Sequence, residues 1–297
     1  QEIFPKLDEP FADASIIPTY FLSKFTREHV TVALGGDGSD ELLAGYPTFI
    51  SENYRKLNTM MPNWLNKFLL SAANILLRPS DNNISFDFKV KQFLRGFTSN
   101  ENHIHQLWLG SFIIGEKQKL FKKDVLNQLS GSTGLNLIDT HFSSAKSLNA
   151  DKWHSLIYYY CQTYLLDDIL FKVDRASMYN SLEVRAPFMD RNVVEFVNSL
   201  PKGFKIKGNN GKLILKELMR DKIPNIIIDR PKKGFGIPLS EWLRTRLKNE
   251  VYETLSQKDD LFDQNYIQQL WNEHQNKKNN HRKLLWNLYV LKKTVAI

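Results

Sequence analysis

A short β-branched run, Val30-Thr31-Val32-Ala33-Leu34, stops on Gly35-Gly36, and a new helix can start near Ser39. No other feature constrains the fold as much. An apolar run without alternation suits a strand covered on both faces, which is the habit of parallel sheets. The stretch before it, Ser15 to His29, reads as an amphipathic helix. Ser15 can cap that helix, Pro18 falls in the first turn where its missing N–H does little harm, and Tyr20, Phe21 and Phe25 share a face. Helix, strand, glycine loop and helix form the grammar of a doubly wound α/β sheet, whose ligands sit at the carboxyl ends of the strands.

Past residue 50 the periodicity turns helical and stays so. It predicts helices over 63–77, 88–97, 101–113, 116–129, 151–180, 190–199, 211–222, 240–256, 266–275 and 281–294. Ser130-Gly131-Ser132-Thr133-Gly134 reads as a loop, and without a lysine after its second glycine it is not a phosphate loop. Only one strand is legible. The fold class is therefore α/β, the tail of a sheet continued by a helix-rich remainder.

Composition narrows the chemistry. Cys161 is the only cysteine among 297 residues, so an internal disulfide and a four-cysteine zinc site are both excluded. It lies in a predicted helix among aromatics, and no Gly-x-Ser-x-Gly elbow occurs, so nucleophilic catalysis is not expected. His103 and His105 have no further ligand at metal spacing. No run approaches the roughly 20 apolar residues of a membrane span, and no terminal segment has signal-peptide character, which points to the cytoplasm. The first residue is Gln rather than Met, so the chain is expected to be incomplete at its start. The net charge of +8 is spread over separated lysines, with no basic strand interleaved with aromatics. It reads as a solvated surface; neither nucleic acid nor membrane is expected as a partner.

Four segments carry candidate chemistry. The glycines of Gly35-Gly36-Asp37-Gly38-Ser39-Asp40-Glu41 let the backbone approach a ligand closely, with successive N–H groups aimed at phosphate oxygens. Three carboxylates would repel a phosphate unless Mg²⁺ lies between, since Mg²⁺ takes one or two carboxylates plus phosphate oxygens. The plain alternative is a tight turn whose Ser39 caps a helix, with Asp40 and Glu41 favoured in its first turn. Both readings stand at this level.

In Leu165 to Met178, helical spacing puts Asp168, Lys172 and Arg175 on one stripe beside Leu165, Ile169 and Val173. It is either a surface helix laced with ion pairs or a charged stripe facing a cleft. Lys212 opens a helix, where a cation is disfavoured, so it is either simply exposed or held by an anionic ligand. Arg230-Pro231-Lys232-Lys233-Gly234-Phe235-Gly236-Ile237-Pro238 is irregular by composition, a phosphate clamp or a solvated loop.

These segments, the second running on from Asp167 to Asp190, with Asp8-Glu9-Pro10-Phe11-Ala12-Asp13 ahead of them and Gly45-Tyr46 after the glycine loop, resemble the asparagine synthetase family. The motifs cover roughly residues 4–60 and 150–245, in the family's order. The resemblance implies the C-terminal synthetase domain of a glutamine-hydrolysing enzyme, with an adenine nucleotide α-hydrolase-like (HUP) sheet remnant. Within a domain over 1–297, residues 1–60 would be its α/β nucleotide-binding part and 61–297 its mainly helical part.

The implied reaction uses ATP and Mg²⁺ to adenylate the side chain of aspartate. Ammonia derived from glutamine then attacks the β-aspartyl-AMP, and a homodimer is one assembly open to such a protein. Carried over by position, Gly35 and Gly36 contact the nucleotide, Asp37 serves adenylate formation, and Asp37 and Asp40 are the Mg²⁺ candidates. Arg175 is the basic residue of the Asp-Arg-Ala segment, and Lys212 steadies pyrophosphate. Gly35 departs from the family's usual Ser. The Ser-Gly-Gly-x-Asp-Ser loop and the glutaminase domain are absent, so this chain alone is expected to be inactive. A β-lactam synthetase or peptide cyclase relative, or a non-catalytic remnant, are the alternatives.

Overall fold

A computed structural model describes residues 3–55, 61–82, 85–96, 101–112, 114–129, 134–230 and 234–295. Two compact units are each assembled from segments distant in sequence. One takes residues 15–60 and 137–235; the other takes 1–14, 61–136 and 236–297.

The first unit opens with the helix Ile16–Arg27, which packs on the helix Phe171–Met178. Ile16, Tyr20 and Ser23 form its buried stripe, while Phe21 and Phe25 point outward at 59% and 62% exposure. The expected shared aromatic face therefore divides, because positions i, i+4 and i+7 from Ile16, rather than i+5 and i+9, are the buried ones. Ser15 stands at the N-cap position in helical conformation and makes no side-chain cap bond. Its carbonyl instead accepts the Thr19 hydroxyl at 2.8 Å.

Strand β1 covers Val32–Leu34 and pairs in parallel with β2, Glu183–Arg185, in the register Val32–Glu183 and Leu34–Arg185. Among the described residues the only other sheet is the antiparallel hairpin of β3, Ile206–Lys207, and β4, Asn210–Gly211. The β1 run is not covered on both faces as its composition suggests. Leu34 is 74% exposed, because within this unit a two-stranded ribbon brings no further layer over it.

The predicted helix over 151–180 is a single rod with a changed pitch. Asp151 caps it by accepting the His154 N–H at 2.8 Å. After Tyr160 the backbone widens into a π-helix over Cys161–Leu170 before returning to α geometry at Phe171. Such stretches are rare and cluster at functional sites. The helix Asn136–Ser147 has no counterpart in the sequence expectations.

A buried cluster of Leu42, Leu43 and Val197, joined by Cys161, Phe188, Val193, Ile214 and Leu215, anchors the residues after the glycine loop. Beside it Phe49 packs at 4.5 Å from Tyr160 and 5.6 Å from Trp153.

The second unit is helical. The predicted helix 101–113 is a 3₁₀ turn over Glu101–His103 followed by the helix Ile104–Leu109, and 116–129 is broken into Ile114–Leu120 and Lys123–Gln128. The predicted 240–256 likewise divides into Leu239–Trp242 and Lys248–Ser256. The helix Arg282–Thr294 is its hub, burying Leu284, Leu285, Trp286, Leu288, Tyr289 and Val290. Lys292 reaches Asp259 at 2.6 Å with both side chains 1% exposed. Residues 130–133 of the expected loop, and Pro231, Lys232 and Lys233 of the basic segment, lie outside the described residues.

Candidate functional site

The glycine loop begins where β1 ends. Gly35 extends the parallel ladder by one bond, its N–H donating to the Arg185 carbonyl at 2.8 Å. Gly38 then turns the chain at a φ of 87°, a left-handed geometry that glycine adopts without strain. A side chain at Gly38 would also collide with the Met189 sulfur. The short helix Ser39–Leu42 follows, so the fold places this loop at the carboxyl end of a parallel strand.

Asp40 and Lys212, 172 residues apart, meet here at 2.8 Å, between Oδ1 and Nζ. The Lys212 ammonium also donates to the Ser39 hydroxyl at 3.0 Å. Two backbone features bring the lysine in. Its N–H donates to the Leu43 carbonyl at 2.9 Å, and its own φ of 57° is left-handed, unusual for a lysine. Lys212 is thus the N-cap of the helix Leu213–Met219, one residue before it, and its side chain is partnered rather than simply exposed. Gly45 makes the pairing possible, since a Cβ there would collide with Asp40 Oδ1 and Lys212 Cε.

Ser39 does not cap its helix. Its hydroxyl donates back to the Gly36 carbonyl at 2.8 Å. Glu41, 1% exposed, accepts the Tyr46 hydroxyl at 2.6 Å, and Tyr46 lies at 5.3 Å from Tyr164 and 6.1 Å from Tyr160. Burial pushes the Glu41 carboxyl above its ordinary range, against the lowering effect of the Tyr46 bond.

At the other side of the loop, burial also raises the Asp37 carboxyl, while the positive charge of Lys172 acts to lower it and Asp40 adds to the rise. Lys172 is 8% exposed and lies 3.7 Å from Asp168, so the expected i,i+4 pair forms across the junction of π and α geometry. Arg175 pairs with its neighbour Asp174 at 2.9 Å and lies 4.9 Å over the Phe171 ring. Cys161 is pushed up to about 12 by burial, which keeps it a thiol and supports no nucleophilic role.

The predicted residues Gly35, Gly36, Asp37, Asp40 and Lys212 thus gather around one loop. Two residues with no role assigned from the sequence join them. Ser39 holds Lys212, and Lys172 is the cation that acts on Asp37. Helical spacing already put Lys172 on the stripe with Arg175, but spacing cannot tell which of two cations turns inward.

The donor set suits Mg²⁺ of the kind shared with phosphate oxygens, since Asp37 and Asp40 are carboxylates and a cation would offset the cost of their burial. No cluster of three or more His, Cys, Asp or Glu with metal geometry occurs among the described residues, so a purely protein-built cage is not indicated. No helix of the described residues is long and apolar enough to cross a membrane.

The asparagine synthase family model matches residues 1–295. The chain is 29% identical over 291 residues to asparagine synthetase [glutamine-hydrolyzing] 1 of Bacillus subtilis, covering 95% of this chain and 43% of the relative. It is 32% identical over 259 residues to asparagine synthetase [glutamine-hydrolyzing] 3 of the same organism, covering 84% of this chain and 34% of the relative. A putative asparagine synthetase [glutamine-hydrolyzing] of Mycobacterium bovis is 29% identical over 300 residues, with 97% and 43% covered. The chain therefore spans less than half the length of these relatives. By its motifs and by the family model over nearly all its length, this chain belongs to the asparagine synthase family.

Proposed function

We propose that the full-length protein makes asparagine from aspartate, ATP and glutamine-derived ammonia through a β-aspartyl-AMP. The observation that carries this reading is Lys212 seated on Asp40 and Ser39 beside the glycine loop. Lys212 has Asp40 as its anion here, and pyrophosphate leaving ATP would be a competing anion of higher charge able to draw it over. The Gly36 N–H would face the nucleotide, since that of Gly35 is already given to the Arg185 carbonyl, and Gly36 is open to the close approach of a ligand.

Mg²⁺, when bound, supplies charge neutralisation of the phosphate oxygens, and Asp37 and Asp40 are the residues that would hold it. The chain's own residues do the rest. Lys212 would leave Asp40 for the departing pyrophosphate. Lys172 opposes part of the rise that burial imposes on the Asp37 carboxyl. Glu41 and Tyr46, locked together at 2.6 Å, hold the turn on which Gly45 and Asp40 depend. Arg175, on the same helix as Lys172, is the second basic residue of the reading.

In fold terms the β1–β2 pair is proposed as part of a HUP-type sheet. The test is ATP–pyrophosphate exchange on the full-length protein with aspartate as the carboxylate. Exchange that depends on aspartate is expected. Exchange that stays at background with aspartate but appears with another carboxylate would move the reading to a different adenylating synthetase.

A further inference from the structure

Ser39 is 5% exposed and lies one residue from the proposed metal ligand Asp40. A hydroxyl has one proton to give. That proton goes to the Gly36 carbonyl at 2.8 Å, which leaves the oxygen's lone pairs for a donor. The Lys212 ammonium fills that place at 3.0 Å. Both bonds are thus fixed in direction: Lys212 gives to Ser39, and Ser39 gives to the loop.

An ammonium has three donors. Ser39 takes one of them, and Asp40 Oδ1 lies in ion-pair contact with the charge at 2.8 Å. The two partners are not equivalent. A carboxylate is the better ligand for a divalent cation and would be drawn to it, whereas a neutral serine hydroxyl would not. When Asp40 turns to a metal, Ser39 is the contact that keeps Lys212 over the loop.

We propose that Ser39 is a positioning residue of this site, coupling the ammonium of Lys212 to the backbone of the glycine loop so that Lys212 stays in place once Asp40 is engaged elsewhere. The inference rests on the proposed pyrophosphate role of Lys212. A bond to a charged group of this kind is worth about tenfold in affinity for the anion that Lys212 serves.

The experiment compares the full-length protein with Ser39→Ala and Ser39→Thr in ATP–pyrophosphate exchange with aspartate. Ser39→Ala is expected to raise KM for pyrophosphate about tenfold with kcat within about threefold, and Ser39→Thr to return KM close to wild type. An unchanged KM in Ser39→Ala would overturn the proposal. A second measurement is independent of activity: urea unfolding of wild type, Ser39→Ala, Lys212→Met and the double variant. The two changes should be coupled, the double variant departing from the product of the single effects by about threefold or more in unfolding equilibrium constant. Independent effects would overturn the proposal as well. Wild-type protein without exchange on any carboxylate would sink the synthetase reading instead, and the urea cycle would still decide whether Ser39 holds Lys212.

Discussion

Lys205 is 0% exposed, and its Nζ has no hydrogen-bond partner among the described residues. It ends the short helix Lys202–Lys205 and leads into the β3–β4 hairpin, which delivers Lys212 to the site. Burial pushes its ammonium down to about 8, only partly opposed by Cys161 and Asp151. Cys161 offers little, being a thiol well above neutral pH. In the unfolded chain the same lysine titrates near 10.4. Between about pH 8 and 10.4 the unfolded state therefore binds more protons, and stability rises with pH across that window. Below about pH 8 the full penalty is present, at about 1.4 kcal/mol per pH unit of window, or about 3 kcal/mol in all. Lys205→Met keeps the stem and removes the charge. We expect the variant to be more stable than wild type by about 1–3 kcal/mol at pH 7, the gain shrinking to near zero by pH 10.5. Urea unfolding at pH 7, 8.5 and 10 measures this directly. A variant less stable than wild type at pH 7, or a difference that does not change with pH, would refute the argument that Lys205 is buried without adequate compensation.

Gly45→Ala should force Asp40 and Lys212 apart. Pyrophosphate exchange is expected to fall about 100-fold while stability falls only about 1 kcal/mol, as paired activity and melting measurements would show. Lys292→Met strands the Asp259 carboxylate, which lies 1% exposed and is also held by the N–H groups of Leu261 and Phe262 at 2.8 and 2.7 Å. The expected loss is about 3–5 kcal/mol in urea unfolding. His274 is fully buried and held down to about 4 by burial and then by the Arg244 charge, with the His281 N–H donating to its Nδ1 at 3.2 Å. A histidine lowered this way stabilises the fold fully above pH 6.5, and that contribution, about 3 kcal/mol, is lost as pH falls from about 6.5 to 4. His274→Gln should flatten the acid limb of a melting-temperature profile over that interval.

The residues of the loop at 35–41 left a capped turn and a phosphate site equally open, and only the family resemblance of several segments in order singled the loop out, whereas β1 with its flanking helices followed from periodicity. β2 escaped notice. Glu183-Val184-Arg185 is three residues long with two charges, and only its pairing with β1 makes it a strand. The π segment at Cys161–Leu170 was equally hidden, because local sequence does not distinguish a bond to i+5 from one to i+4 in a run of Leu, Ile, Tyr and Asp. Dipole reasoning flagged Lys212 as a misplaced cation. It could not see that the residue leaves the helix altogether, since a left-handed lysine depends on contacts distant in sequence, here at Leu43, Ser39 and Asp40. Phe21 and Phe25 show the converse error. They are apolar and correctly spaced from one another, but the neighbouring helix meets the adjacent stripe.

The loop carries its charges in two opposite-sign sets, Asp40 with Lys212 on one side and Asp37 with Lys172 acting on it on the other. Each of these two carboxylates has a cation acting on it, which offsets part of the cost of its burial. Such an arrangement can accept a polyanion together with a divalent cation by exchanging partners rather than by adding net charge. On the proposed reading the carboxylates would hold the metal and the lysines would hold the phosphates. That requirement explains why Ser39 matters beyond its size. In a site that works by exchanging ionic partners, a neutral contact such as Ser39–Lys212 is the one that need not break, and it fixes where the exchanged lysine comes to rest.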